Sequence, residues 1–568
     1  MRSHATIARA LSIVALVALW VPVLPAAAVG PVAASRKALP ALVAVAPDAL
    51  TRALASGRLN EATYALERVS TLFAPASVRA RFGVVRRPDP RDATLLMRDL
   101  AIRAGELSGA ARARAAAYLA RPTQGAADPE GDGYSEAEEK PVCSTHVCVH
   151  YVGSSPDAPP LDDVSPADGT PDWVRATLDV MDEVWAFEVG GYGYRAPKSD
   201  LGSKENGGNA KLDVYLANIG GKGLYGYCTS DDPNLKPSSG YDFYDMSAFC
   251  VLDDDYAVDQ FGYPEPLDPL TVTAAHEFFH AVQFAYDLFE DGWIMEAAST
   301  WIEDEIYDDV NDNRQYLNQS PLAQPVVPLD KNVSPRWYGA WIFPRFLSEY
   351  VGANDGGATD PDPTIIRSIW SRLDGASGGP DQFSTKGVAS AIGARTLDGA
   401  PGKFRWVFAD FAVWNSMPKE FYEEGASYDP AALASSKTLT ASNRTFASVD
   451  AIDHLANRFV SLKRGSGLAG DARLKITIDG PDTASSPEAS AVVVKTSGAV
   501  VAKAIVLDAS GRGTLKVGFD STVARVIVIA TNASVRYSNC WTYATAWSCG
   551  GGTPVDENRS FDVRASVI

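Results

Sequence analysis

The chain has 568 residues, 46% of them hydrophobic, and a formal net charge of −19. That length and apolar content exclude a disordered tail and allow about three to four domains. The charge is uneven: residues 36–121 hold 15 Lys/Arg against 7 Asp/Glu, a net +8, while residues 1–35 carry +2 and residues 122–568 carry −29. Such a body repels phosphate, which argues against a nucleic-acid partner.

Residues 1–28 read as a secretory signal. Arg2 and Arg9 stand ahead of or within an apolar run, and Ala26-Ala27-Ala28 offers a small-residue cleavage site. A membrane anchor is the competing reading, but Pro22 and Pro25 interrupt the run. No later stretch approaches about twenty unbroken apolar residues. The expectation is a protein secreted from the cell, with no stable membrane insertion.

Residues 29–125 are expected to be helical, with apolar residues at helical spacing in LNEATYALERVSTLF and DATLLMRDLAIRAGEL. The following linker, PTQGAADPEGDGYSEAEEKP, cannot bury a core. From about Val142 the texture is mixed: VCVHYV as strand, WVRATLDVMDEVWAFEV as helix, KLDVYLANI and FCVLDDDY as strands. Helices then dominate from Thr271 through about Met417. Residues 126–450 thus read as an α+β domain. Residues 451–568 alternate at period two in RFVSLKR, ARLKITIDG, SAVVVKTSG, GTLKVGF and VARVIVIATN, the pattern of a β-sandwich.

Six cysteines fall in three close pairs, Cys143 with Cys148, Cys228 with Cys250, and Cys540 with Cys549. In an exported chain these predict disulfides closing local loops, although spacing alone fixes no connectivity. The CxxC spacing of a cysteine zinc site is absent.

The chemistry concentrates in TVTAAHEFFHAVQFAYDLF, an apolar run unbroken by Gly or Pro and expected to be a buried helix. His276 and His280, four apart, share one helical face and could bind one Zn²⁺. Glu277 beside them could take a proton from water acidified by the metal and pass it to a leaving amine. The bland reading is two histidines with no metal. Metzincins would need Gly at 283 and His at 286, where this chain has Gln283 and Tyr286. His454 is the only histidine further downstream, so a carboxylate is the economical third ligand, with Glu290, Glu296, Glu303 and Asp304 as candidates.

The stretch Trp293-Ile-Met-Glu296-Ala-Ala-Ser299-Thr300-Trp301-Ile-Glu303 resembles the WLNEGFAxxxE signature of gluzincins, which include thermolysin-like enzymes and zinc aminopeptidases. The resemblance implies Glu296 as third ligand, after a spacer of fifteen residues, shorter than is usual there, with Glu303 in reserve. Otherwise Glu303 orients a ligand or lies on a solvated helix face. Ser299-Thr300 stands where thermolysin-like enzymes carry Ser-Asp, which puts their hydrogen bond to a zinc histidine in doubt. The basic leading segment, CSTHVCVHY, the HExxH helix and the terminal sandwich together resemble a family of secreted bacterial zinc metalloproteases of gluzincin type. This implies a gluzincin-like metallopeptidase acting on a protein or peptide substrate, with residues 29–125 as pro-segment.

Tyr338 is nominated as oxyanion donor, because zinc aminopeptidases use a downstream tyrosine; a buried aromatic is the bland reading. Lys211–Ala217 has the place in chain order of the edge strand on which gluzincins lay substrate, but ordinary sheet membership is the simpler expectation. His146 and His150 are expected to share a strand face, as sheet surface residues or as a second metal site. Asp253-Asp254-Asp255 and Asp308, Asp309 and Asp312 could hold structural Ca²⁺, but neither matches an EF-hand loop, and a solvated acidic surface is the simpler expectation. The charge split suggests a zymogen whose basic helices cover an acidic cleft. No amine-binding GxMEN-like segment is visible, which tilts the reading towards an endopeptidase. The rival reading is a noncatalytic secreted or surface binding protein with a degenerate peptidase fold. The oligomeric state is left open.

Overall fold

The computed structural model describes residues 48–124, 132–235, 243–356, 361–539 and 552–568. The expected signal and the pair Cys540 and Cys549 lie outside the described residues. Five helices come first, α1 (Ala49–Ala55), α2 (Glu61–Phe73), α3 (Pro75–Phe82), α4 (Ala93–Arg103) and α5 (Gly109–Tyr118). The Asp48 and Asn60 side chains accept from the amides of Thr51 and Thr63, which caps α1 and α2 and sets where they begin.

A mixed sheet follows, built from β1 (Val142–Cys143), β2 (Val147–His150), β3 (Leu212–Ala217), β4 (Gly226–Thr229) and β5 (Phe249–Asp253) in the order β1-β2-β3-β5-β4. β2, β3 and β5 run parallel, and β1 and β4 are antiparallel to their neighbours. β3 is therefore an ordinary inner member of the sheet rather than the edge strand of the gluzincin comparison, and the short β4, adding outside β5, takes that edge. Disulfides Cys143–Cys148 and Cys228–Cys250 tie β1 to β2 and β4 to β5.

Both faces of the sheet are covered, which is why β3 and β5 read as continuous apolar runs. Val214, Leu216, Cys250 and Leu252 join one core with α6 (Asp172–Trp185) and, after α7 (Val258–Phe261), with α8 (Leu267–Asp287). The alternate residues Tyr215, Ala217, Phe249 and Val251 join another with Leu66, Val69, Met97 and Leu100 of α2 and α4. One core thus runs from the basic helices into the sheet.

The helical stretch continues as α9 (Gly292–Ile306), α10 (Arg336–Gly339), α11 (Ile342–Asn354), α12 (Thr364–Leu373), α13 (Thr385–Gly393), the small hairpin β6 (Thr396–Leu397) with β7 (Ala400–Pro401), α14 (Phe404–Ser416) and α15 (Pro418–Phe421). The molecule is a mixed α+β structure. Its last part, from β8 (Ser435–Leu439), begins ahead of residue 451 and includes β9 (Thr445–Ile452), β10 (Ala456–Arg464), β11 (Arg473–Asp479), β12 (Pro487–Lys495), β13 (Val500–Ala504), β14 (Arg512–Gly518), β15 (Val523–Asn532), the short pair β16 (Tyr537–Ser538) and β17 (Thr553–Pro554), and β18 (Arg559–Val567). A five-stranded sheet, β13-β12-β15-β10-β8, and a four-stranded one, β14-β11-β18-β9, share a core that includes Val460, Leu474, Ile476, Val528 and Val563. On the other face of the larger sheet Phe459, Val492, Ile527 and Ile529 pack on Ala412 and Val413 of α14.

Candidate metal centre

Helix α8 is 21 residues long and buried along its length from Pro269. At four-residue spacing His276 and His280 meet on one face, with Nε2 atoms 3.1 Å apart. The chain turns between Asp287 and Gly292 and returns as α9, which presents Glu296 to both rings. Its Oε2 lies 3.2 Å from His276 Nε2 and its Oε1 3.7 Å from His280 Nε2. The short spacer is thus accommodated by a tight helical hairpin. Gly292 permits it, because a Cβ there would meet Asn332 Oδ1 and Leu95 Cδ1 at 2.9 Å.

One ligand atom from each of His276, His280 and Glu296 falls within 4.8 Å of the others. Glu296 is fully buried and its Oε1 has no hydrogen-bond partner. A buried orphan oxygen between two imidazoles is costly unless a cation joins it. Two neutral imidazoles and a carboxylate suit Zn²⁺, so the residues present fit the metal. Burial opposes the charge of Glu296, yet its closeness to His280 and the hydrogen bond with His276 hold its pKa at about 2.

The other nitrogen of each ring is held. His276 Nδ1 lies 2.6 Å from Glu303 Oε1, two helical turns beyond Glu296 on α9. Glu303 is buried, outside the three-residue group, and faces His276 rather than solvent. Burial pushes its pKa up to about 8 against the pull of His276. His280 Nδ1 lies 2.8 Å from Gln283 Oε1, and Gln283 Nε2 donates to Met295 O and Ser299 Oγ. Such partners fix the tautomer that leaves Nε2 free to ligate. Glu303 and Gln283 thereby fill the orienting role that Ser299-Thr300 left in doubt. Glu290 lies elsewhere, accepting from Asp291 and Ser384 amides, and Asp304 pairs with Arg345.

Glu277 is buried, and its Oε2 accepts a hydrogen bond from Thr94 Oγ1 at 2.7 Å. Tyr338, on α10, reaches the same place: its ring centroid is 6.2 Å from that of His276, and its hydroxyl has no hydrogen-bond partner. Burial raises its pKa well above that of an ordinary tyrosine, and Glu296 and Asp92 add to this. The cleft here is lined by His276, Glu277, Glu303, Tyr316, Tyr338 and Arg91.

The edge of the sheet borders this cleft. The Cα atoms of Cys228 and Cys250 are directly opposed and 4.1 Å apart, the spacing of a non-hydrogen-bonded pair, so the Cys228 N–H points away from β5. It donates to Thr94 Oγ1 at 2.9 Å. At Gly226 a Cβ would meet Thr273 Cγ2 at 3.0 Å, so glycine lets β4 lie close to α8 one turn before His276.

Other expected sites separate. His146 sits in the turn between β1 and β2, stacked on Trp185 with ring centroids 4.3 Å apart, while His150 is buried between Asp213 and Glu138. They share no face, because the hairpin turn breaks the strand before His146 is reached. The Asp253-Asp254-Asp255 cluster is not a solvated surface: Asp253 and Asp254 are buried, and Asp253 accepts from Ile219, Gly220 and Tyr256 amides at a chain turn. Its three ligand atoms also lie within 4.8 Å of one another. Asp308 and Asp309 are exposed, but Asp312 is buried against Tyr263 and Gln315.

The sequence matches no protein-family model and no curated protein. Among solved structures, the periplasmic inhibitor of g-type lysozyme from Aeromonas hydrophila, PliG, aligns over 24% of this chain and 100% of its own, at 12% identity and a TM-score of 0.14. Among the described residues no helix is long and apolar enough to cross a membrane.

Proposed function

We propose that this chain is a secreted zinc-dependent peptidase of gluzincin type, with His276, His280 and Glu296 as metal ligands and Glu277 as general base. The observation that carries the reading is the convergence of these three ligating groups around the unpartnered Glu296 oxygen, with the Glu277 carboxylate beside them.

Zinc, when bound, would polarise a carbonyl and acidify water. The protein's own groups would do the rest. Glu277 Oε2 would take the proton of the attacking water and deliver it to the departing amine. Tyr338, with its hydroxyl uncommitted, would donate to the carbonyl oxygen as it becomes negative. Glu303 and Gln283 would hold the imidazoles in one tautomer. The outward N–H of Cys228 would bind the substrate main chain as an added strand. The substrate is a protein or peptide, cut within the chain, since nothing resembling an amine-binding segment is present. The two disulfides suit an oxidising compartment and agree with export.

Metal analysis paired with a broad peptide-cleavage assay tests the reading. It expects one zinc per chain and a roughly thousandfold loss of turnover on Glu277→Gln with zinc retained. A protein without stoichiometric zinc and indifferent to Glu277→Gln would be a noncatalytic binding protein instead.

A further inference from the structure

The candidate cleft is filled in part by the chain's own N-terminal helices. Thr94, in the first turn of α4, is buried against Glu277, which lines the cleft. Its single hydroxyl has two partners: it donates to Glu277 Oε2 and accepts from the Cys228 amide. Those are the carboxylate oxygen that a reacting water would need and the edge N–H that an extended substrate would need. One side chain occupies both.

The residues just before it extend the blockade. Arg91 lines the cleft and donates from Nη1 to Gln315 Oε1 at 2.8 Å and to Tyr316 OH at 3.3 Å. Asp92 is buried with Oδ1 lacking any hydrogen bond, and it stands close enough to Glu296 and Tyr338 to act on both electrostatically.

The rest of α4 is anchored. Met97 and Leu100 are fully buried in the core shared with the sheet, and Arg98 Nη1 donates to Glu290 O at 2.7 Å. Further along, Arg121 is buried with Asp200, Asp213 and Asp231 around its guanidinium. The basic segment therefore meets acidic partners in the body, and it does so through buried contacts.

Resting on the peptidase reading, we propose that residues 91–94 form an intramolecular plug, with the Thr94 hydroxyl standing in for a substrate backbone group, so that the full chain is latent until the tip of α4 moves. Access is governed by displacement of this tip rather than by loss of the whole segment, because α4 and Arg121 are built into the core.

The test uses the full chain loaded with zinc, comparing wild type, Thr94→Ala and Thr94→Ser. Hydrogen–deuterium exchange at residues 226–229 reads the edge amide, and the association rate of a small peptide hydroxamate reads access to the cleft. Removing one buried shared hydroxyl should raise both by about tenfold in Thr94→Ala, with Thr94→Ser near wild type. The plug is refuted if exchange at 226–229 is the same in all three, or if wild type admits the hydroxamate as fast as Thr94→Ala. Unfolding midpoints of the three proteins guard against a general loosening: a tenfold rise at 226–229 matched by a similar rise throughout the sheet also counts against it. Failure of the chain to take up zinc would defeat the peptidase reading and leave the exchange comparison to judge the contact alone.

Discussion

Of the three histidines among the described residues that are buried between a pair of acids, two lie far apart in role: His276 between Glu296 and Glu303, and His454, in the turn leading into β10, between Asp330 and Glu557. Each also has a tyrosine nearby, Tyr338 for the first and Tyr537 for the second. At His454 every one of these groups is committed: Nε2 lies 2.9 Å from Asp330 and 2.7 Å from Tyr537 OH, and Nδ1 meets Glu557. That cluster joins the helical body to the sandwich. At His276 one carboxylate holds the ring while the other keeps an oxygen unpartnered beside a second imidazole, and the tyrosine hydroxyl is unpartnered too. The same residue types make a clamp in one place and a converging set of donors in the other. What separates them is whether the polar atoms are satisfied.

The contrast can be broken most severely by His280→Ala. It should abolish zinc binding and all turnover, as measured by metal content and peptide cleavage, while the corresponding change at the clamp leaves zinc untouched. Asp330→Asn should cost about 3 kcal/mol in denaturant unfolding, because it strips one acid from a buried histidinium, with no change in metal content. The same clamp gives a pH signature. Burial disfavours the His454 charge, but Asp330 and Glu557 prevail and raise its pKa from 6.5 to about 9. A raised folded-state value means the stabilisation is complete below pH 6.5 and is lost as pH climbs through 9, a loss that Asp330→Asn should largely erase from the stability profile. Tyr338→Phe should lower kcat by about a hundredfold while sparing zinc and stability. Glu303→Gln should weaken zinc affinity by about ten- to a hundredfold in a chelator competition, an effect of orientation alone. The smallest change is expected for Tyr537→Phe, which should cost about 1 kcal/mol of stability and leave turnover at the wild-type rate.

The convergence at α8 and α9 was partly legible in the sequence: i,i+4 spacing fixes where His276 and His280 project, and a resemblance singled out Glu296 among four carboxylates. Tyr338 was reachable only through a resemblance, and the structure brings it to the cleft. Glu303 stood open between three roles, since spacing along one helix cannot tell which ring nitrogen a side chain will meet. Gln283 was passed over, although a polar residue three positions beyond His280 on an otherwise apolar helix was a usable signal. Thr94 could not be found at all: its partners are 134 and 183 residues away, and nothing local marks it. The edge strand β4 could not be seen because GYCT is four residues long, too short for an alternation to register, whereas KLDVYLANI advertises itself. His146 and His150 were separated by a hairpin turn within a stretch that reads as continuous strand.

The core that joins α2 and α4 to Tyr215, Tyr227, Phe249 and Val251 also bears on how the chain is made. These helices are translated before the strands they cover, and domains tend to organise from the N-terminus during synthesis. They offer a ready apolar template on which the later sheet can condense. A body produced from residue 132 onward would lack that template and would present a face of aromatic and β-branched side chains to water, where self-association competes with folding. The same helices that reach the candidate cleft thus also cover an apolar face of the sheet.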